Sequence, residues 1–363
     1  MRRTSSWLAD GRELIYFDED STSATTQRVG IVDHRDLRPS RSSPEIRYDA
    51  MLDEWVTIAS HRQDRTHLPT SGDCPLCPSQ GGRQTEIPAE SYDVVVFENR
   101  FPSLTAHGEL PPGHPSRADR RAAQGRCEVM SFTSDHDTPM SRLSPARVRL
   151  ILDAWIDRSA ALAELPYVEQ VFCFENRGEA IGVTLAHPHS QIYGYPFVTP
   201  RTRTMVASAR RYRERTGGHL LADRLDAELA DGSRVVTSSE HWVAFVPFAA
   251  RWPVEVHLYP RRPVPDLPAL DTAARNDFPQ IYLAVLAAMD GLYDTPLPYI
   301  SGWHQTPVRA ANDVALLHLE LTSVKRAAHK LKYLAGSESA MGAFINDVAP
   351  EQIAAELRRA LPR

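Results

Sequence analysis

Apolar and polar positions along the chain alternate between two periods. "YDVVVFENRFPSL" (residues 92–104) is a short apolar run that breaks into a turn, which predicts a strand. "RCEVMSFTS" (126–134) alternates with period two and predicts another. In "SPARVRLILDAWIDRSAALAEL" the period changes: Val148, Ile151, Leu152, Trp155, Ile156 and Leu162 mark one helical face. Ser144 suits the N-cap and Pro145 the first helical position. "VEQVFCFENRG" (168–178) and "GVTLAHPHSQIYGYP" (182–196) then read as strands.

The second half repeats this order. "HWVAFVPFAARWP" (241–253) echoes 92–102, and "VEVHLYPRR" echoes "CEVMSFTSD". "DTAARNDFPQIYLAVLAAM" is the matching helix, with Pro279 expected to kink its start. "PYISGWHQTP" and "ALLHLELTS" close the copy, with His318-Leu319-Glu320 placed against His187-Pro188-His189. The repeat predicts a duplicated α+β unit: an N-terminal arm over 1–45 with little core, a first half over 46–200 and a second over 201–363. Residues 105–125, rich in Gly, Pro and charge, read as a surface loop.

Composition narrows the function. A net charge of −5 argues against a duplex-DNA partner but leaves room for a small anionic ligand. No apolar run approaches the ~20 residues needed to span a bilayer. The N-terminus lacks the apolar stretch of a signal peptide. Four cysteines are too few for a disulfide scaffold of this size, so reduced thiols in a cytoplasmic setting are expected.

Two stretches carry candidate chemistry. His187 and His189 flank one proline, with Gln191 two residues on. Two satisfied surface histidines are the bland alternative to a built site. "CPLC" gives Cys74 and Cys77 the spacing of a zinc half-site. The alternatives are chance thiols or a redox pair, though "GDCPLCPSQGG" is a loop without thioredoxin-like context. Zinc needs two further ligands, for which His136 in "TSDHD" and His187 are the candidates. Cys127 and Cys173 lie in apolar strand patterns and read as core.

With these residues in view, the chain resembles the galactose-1-phosphate uridylyltransferases, a branch of the histidine-triad superfamily. The motifs are "SHRQDR", "CPLC", "VFENRFPSL", "TSDH", "FENRGEAIGVTLAHPHSQ", "GWH" and "LHLE", in that order over residues 45 to 360. The resemblance implies an antiparallel half-barrel sheet with helices outside. It implies exchange of UMP between UDP-glucose and galactose-1-phosphate by double displacement through a uridylyl-histidine at His189. Gln191 stands where other superfamily members carry a third histidine, and would hold phosphoryl oxygens. A backbone carbonyl near the His187-Pro188 turn is expected to fix the tautomer of His189. Arg62, Arg65, Asn99, Asn176, Gly182 and Thr184 match the nucleotide and phosphate contacts. Arg100 departs from an acidic residue common in the family.

Lys332 and Glu338 match the hexose-binding segment, which commonly acts across a homodimer interface; Ser337 stands where some members have tyrosine, and Asn346 is the candidate for a hydroxyl-binding amide. Zinc on Cys74, Cys77, His136 and His187 would be structural. A second, iron-type metal held by one glutamate and three histidines is expected to be absent or weak. His304 and His318 remain for it, but Glu320 replaces a histidine and Met205 falls near the expected glutamate. A rearranged His304/His318/Glu320 site is the alternative. Other functions kept open are a sugar-nucleotide transferase or phosphorylase acting on ADP-glucose, and a nucleotide-binding protein without catalysis. No nucleic-acid or membrane partner is expected.

Overall fold

The computed structural model describes residues 1–19, 28, 30–39, 42–64, 69–110, 119–311 and 313–362. In chain order its strands begin with β1 (Arg2–Trp7), β2 (Glu13–Asp18), β3 (Glu45–Asp49), β4 (Glu54–Ile58), β5 (Val94–Glu98), β6 (Arg120–Ala122) and β7 (Arg126–Ser131). Helix α1 (Pro145–Ala163), β8 (Gln170–Arg177), β9 (His189–Tyr195) and helices α2 (Pro200–Thr216) and α3 (Leu220–Asp231) follow. Then come β10 (Val235–Ser238), β11 (Trp242–Phe245), β12 (Val254–Pro260), α4 (Thr272–Asp290), β13 (Tyr299–His304) and β14 (His318–Ser323). A small hairpin of β15 (Lys325–Ala327) and β16 (Lys330–Leu331), α5 (Gly336–Ser339) and α6 (Pro350–Ala360) end the chain.

Eleven strands form one antiparallel sheet in the order β1-β2-β5-β7-β9-β8-β13-β14-β12-β11-β10. The α+β class is therefore as expected. Outward from the β8–β13 pair the order reads β9, β7, β5 on one side and β14, β12, β11 on the other. β8 and β13 join through Tyr299↔Arg177 to Trp303↔Cys173.

One face of the sheet packs on α1 and α4. Val94, Val96, Met130, Cys173, Ile192, Trp242, Val256, Trp303 and Leu319 meet Ile151, Trp155, Phe278 and Tyr282 in the largest core cluster. Ser144 Oγ accepts from Arg147 N at 3.1 Å, capping α1 as its sequence requires. Trp155 Nε1 donates to Ser190 Oγ at 3.2 Å, so α1 also pins the back of β9. α4 begins at the Asp271 cap, whose carboxylate accepts from Ala274 N at 2.8 Å, and runs on through Pro279.

Three expectations are corrected. Residues 1–45 are not a coreless arm: Leu14, Tyr16 and Phe17 in β2 are fully buried, and β2 pairs with β5 over Leu14↔Phe97 to Phe17↔Val94. The strand expected over 182–196 starts only at His189; Pro188 has no N–H for the ladder. The repeat is also offset by one step of the alternation. Gln191 pairs with Val129 and Phe174, while Glu320 pairs with His257 and Gly302. β14 opens at His318 as β9 opens at His189, so Glu320 stands where Gln191 does.

Candidate active site

Cys74, Cys77, His136 and His187 converge, with one ligand atom from each lying within 4.8 Å of the others. Cys77 Sγ is 3.4 Å from His136 Nδ1 and 3.5 Å from His187 Nδ1; Cys74 Sγ is 3.8 Å from His187 Nδ1. The cysteine loop is fixed locally, since Thr85 Oγ1 donates to Cys77 O at 2.6 Å and Arg83 Nη1 donates to Ser71 O at 3.0 Å. His187 is fully buried. Its Nε2 sits 2.8 Å from Thr133 O and 3.0 Å from the Tyr92 hydroxyl. Donation to that carbonyl puts the ring proton on Nε2 and leaves the Nδ1 lone pair toward the sulfurs.

Burial, with the second thiol beside it, pushes the Cys74 thiol up to about 11. Burial likewise pulls His187 down to about 4. Two buried thiols and a neutral imidazole become favourable together when a cation compensates the thiolates. The donor set therefore fits a metal ion.

His189 opens β9 two residues after this cluster. Its Nδ1 lies 2.7 Å from His187 O and donates to it. The neutral ring then carries its lone pair on Nε2. Burial holds its pKa below the usual histidine range, which keeps the ring neutral.

His189 borders two cavities. One, of about 170 Å³, is lined by Arg62, Phe97, Asn99, Thr184 and Gln191 among others. The other, of about 550 Å³, is lined by Glu175, Asn176, Arg177 and Asp290 among others. In the smaller cavity Tyr193 OH donates to Gln191 Oε1 at 3.2 Å, which orients the amide. Asn99 Oδ1 accepts from Phe101 N at 2.9 Å, and Arg62 Nη1 donates to Phe101 O at 2.8 Å, so one turn holds both. Arg100 lines the same cavity, 3.6 Å from Glu86.

The other expected residues are more scattered. Arg65 lies outside the described residues. Gly182 ends a short 3₁₀ turn with φ of 79°, a left-handed conformation that glycine allows, and lines neither cavity. Lys332, Ser337, Glu338 and Asn346 line neither cavity within this chain. Lys332 Nζ instead donates to Glu338 Oε1 at 2.5 Å, and Asn346 Nδ2 donates to the carbonyls of Ala250 and Trp252 at 3.1 and 3.0 Å. Ser337 is exposed, and its carbonyl accepts from Ala343 N at 2.9 Å.

On the second half, ligand atoms of His304, His318 and Glu320 also lie within 4.8 Å of one another. His257 and Glu255 from β12 form an overlapping group with Glu320. Sequence reasoning missed His257, a single histidine in an apolar strand, and Tyr92, whose position before "DVVVF" carries no chemical signal. It also gave Ser190 no part; Trp155 explains its place.

Models of the galactose-1-phosphate uridyl transferase family match residues 33–199 with the N-terminal domain and 205–363 with the C-terminal domain. A galactose-1-phosphate uridylyltransferase of Streptomyces lividans is 49% identical over 85% of this chain and 81% of its own length. That of Thermotoga maritima is 36% identical over 86% and 98%. A solved uridylyltransferase structure, 31% identical, superposes with a TM-score of 0.76 over 87% of this chain and 98% of that one. An ADP-glucose phosphorylase from Arabidopsis thaliana shares the fold at 23% identity, with a TM-score of 0.65 over 87% and 99%. From residue 33 to its end the chain follows both domains of one family, and it belongs to the galactose-1-phosphate uridyl transferases.

Proposed function

We propose that this chain exchanges a uridylyl group between UDP-glucose and galactose-1-phosphate. The observation that carries it is the Nδ1–H of His189 donating to His187 O at 2.7 Å, on a histidine that borders both cavities. Nε2 attacks the α-phosphorus of UDP-glucose, and the bond to the leaving phosphate oxygen breaks to release glucose-1-phosphate. A phosphate oxygen of galactose-1-phosphate then attacks the same phosphorus and expels His189 Nε2, giving UDP-galactose. The ring keeps its Nδ1 proton throughout, and its positive charge in the intermediate is stabilised by the His187 carbonyl. Gln191 donates to the non-bridging oxygens as charge builds on them, and Arg62 offers a cation. Splitting one displacement into two predicts ping-pong kinetics.

The nucleoside end belongs in the smaller cavity, beside Asn99, and the sugar phosphate in the larger, beside Asn176. Zinc would be held by Cys74, Cys77, His136 and His187, where its charge stabilises two thiolates and clamps the loop that leads into His189. Lys332, Ser337, Glu338 and Asn346 would serve the hexose of a second copy in a homodimer, since they do not reach His189 in their own chain. No helix among the described residues is long and apolar enough to cross a membrane. Four free cysteines suit a reducing, cytoplasmic setting.

The test is the intact mass of the protein after incubation with UDP-glucose alone. One uridylyl group should appear, vanish on adding galactose-1-phosphate, and be missing in His189→Ala. An adduct from ADP-glucose and none from UDP-glucose would keep the chemistry and change the base. No adduct from either would overturn the enzyme.

A further inference from the structure

Helices α2 and α3 pack on the second half of the sheet and leave a cavity that the transfer chemistry does not use. Leu225 of α3 packs with Val243, Phe245 and Tyr259, and Val206 and Ala209 of α2 pack with Leu316. Between them lies a cavity of about 600 Å³, lined by Arg201, Met205, Leu221, Arg224, Arg251 and Tyr259 among others. None of these six lines either cavity beside His189. Tyr259 is only 8% exposed, its ring 5.0 Å from that of Phe245 and 4.9 Å from that of His318. Among the described residues its hydroxyl has no hydrogen-bond partner. A phenol buried to this extent normally finds one. Burial raises its pKa, with Glu320 adding and Arg224 and Arg201 opposing, so the hydroxyl keeps its proton and is available as a donor.

The charges on the walls favour an anion. Both carboxylates there already have partners. Glu320 accepts from Arg201 through both oxygens, at 2.7 and 2.9 Å. Glu255 accepts from Arg251 N and Trp252 N at 2.6 and 3.1 Å. Two guanidiniums are not neutralised in this way. Arg224 and Arg251 are exposed, and among the described residues neither side chain makes an ion pair or a hydrogen bond; Arg251 lies 5.1 Å from the Phe344 ring centre. The start of α3 adds to them. Leu220 and Leu221, its first two residues, line the cavity, and the His219 cap takes up only Ala222 N, at 3.3 Å. Free first-turn N–H groups at the positive end of a helix suit an anion. Asp223, the acid of that turn, accepts from Tyr212 OH at 2.8 Å and is not on the wall.

We propose that this cavity binds an organic phosphate monoester the size of a nucleoside monophosphate or a sugar phosphate. Its phosphate sits on Arg224, Arg251 and the start of α3, where two uncommitted guanidiniums match a dianion. Tyr259 OH donates to the ligand, and Met205 and Leu221 cover its less polar part. The volume lies in the usual range of small-molecule sites. Binding is not followed by transfer, because His318 Nε2 faces Glu320 Oε1 at 3.1 Å and the carboxylate keeps phosphate away from that ring. The second half would thus hold the same class of compound that the first half processes, without reacting with it.

The test counts molecules bound per full-length chain by equilibrium dialysis, with UMP, glucose-1-phosphate and inorganic phosphate as separate probes. Wild type should bind one ester molecule more than the cavities beside His189 account for. The double variant Arg224→Gln, Arg251→Gln should lose that molecule. It should unfold at the wild-type denaturant midpoint, since both side chains are exposed and make no ion pair. Tyr259→Phe keeps the ring and should weaken the same molecule about tenfold. Whichever ester shows a molecule that the double variant loses, UMP or glucose-1-phosphate, identifies the ligand as nucleotide or sugar phosphate. Stoichiometry unchanged in the double variant for both esters would overturn the site, as would inorganic phosphate held as tightly as either ester. Transferase activity is not the readout, so failure here leaves the His189 chemistry untouched.

Discussion

His318 opens β14 as His189 opens β9, and each donates Nδ1–H to the carbonyl two residues before it, at 2.6 and 2.7 Å. Both rings are thus held in one tautomer. What separates them is the residue two further on the same strand face. Gln191 places an amide on the cavity that the first ring borders, and Glu320 places a carboxylate 3.1 Å from the second Nε2. An incoming phosphate meets a donor in one half and an anion in the other. Peptide mapping of the uridylyl adduct should therefore find it on His189 and never on His318.

His189→Ala should abolish turnover while leaving nucleotide binding largely intact, because the cavity walls beside Asn99 and Arg62 do not depend on the ring. Gln191→Ala removes one donor to developing negative charge, and kcat should fall ~10²–10³-fold. Steady-state kinetics separate the two roles. A Gln191→Ala variant that changed KM alone would place the amide in ground-state binding and not in the transition state.

Tyr92 braces the cysteine–histidine cluster from outside. Its hydroxyl lies 3.0 Å from His187 Nε2, 2.8 Å from Ser131 Oγ and 2.7 Å from Leu76 O. Tyr92→Phe keeps the packing and deletes that support, so metal affinity should drop ~10–100-fold, as for other groups that orient a metal-bound histidine. Competition with a chromophoric chelator measures it. An unchanged affinity would mean that Thr133 O alone fixes the ring.

Glu175 gives a pH signature. It is buried and lines the larger cavity, and burial pushes its pKa up to about 7; Asp290 adds to this, while Tyr299 and Arg177 oppose it. Tyr299 OH donates to its Oε2 at 3.1 Å. The folded chain holds this proton more tightly than the unfolded one. Its contribution to stability is therefore complete at pH below the ordinary carboxylate range and is lost as pH rises through about 7. Above that, the cost approaches about 3 kcal/mol. Glu175→Gln should match wild type in denaturant unfolding at pH 4 and exceed it at pH 8. Equal midpoints at both pH values would show that water or Arg177 already solvates the carboxylate.

Much of this site was legible in the sequence because its signals are local. The caps of α1, the C-x₂-C turn and the His187 carbonyl that fixes His189 all depend on residues within a few positions of each other. Contacts between distant strands were not legible. Tyr92 reaches His187 only because β5 and β7 bring the two segments together, and His257 meets Glu320 through the β12–β14 register. The repeat was visible, but its register was misplaced, since "HPH" and "HLE" align by letters while the ladder aligns strand starts. The buried β2 was hidden by the polar stretch that follows it, which dominates the composition of residues 1–45.

The C-terminal segment poses the remaining question of geometry. Lys332 and Glu338 are buried against each other, and Lys332 Nζ also donates to Ile345 O, so the loop is held as a preformed unit. Around that clasp Tyr333 and Met341 are about four-fifths exposed, and Ile345 is more than half exposed. A rigid loop with an apolar outer surface, carrying groups matched to a hexose yet away from its own His189, suits insertion into a second copy. If so, two inactive variants should repair each other. His189→Ala keeps a sound loop and Lys332→Ala keeps a sound nucleophile. In a co-expressed mixture about half of the dimers are mixed, and each mixed dimer has one complete site, so about a quarter of wild-type activity should return. Either variant alone should stay inactive. Mixed dimers that form and remain inactive would show that the loop serves its own chain, and a Lys332→Ala variant active by itself would show that Lys332 does not touch the sugar.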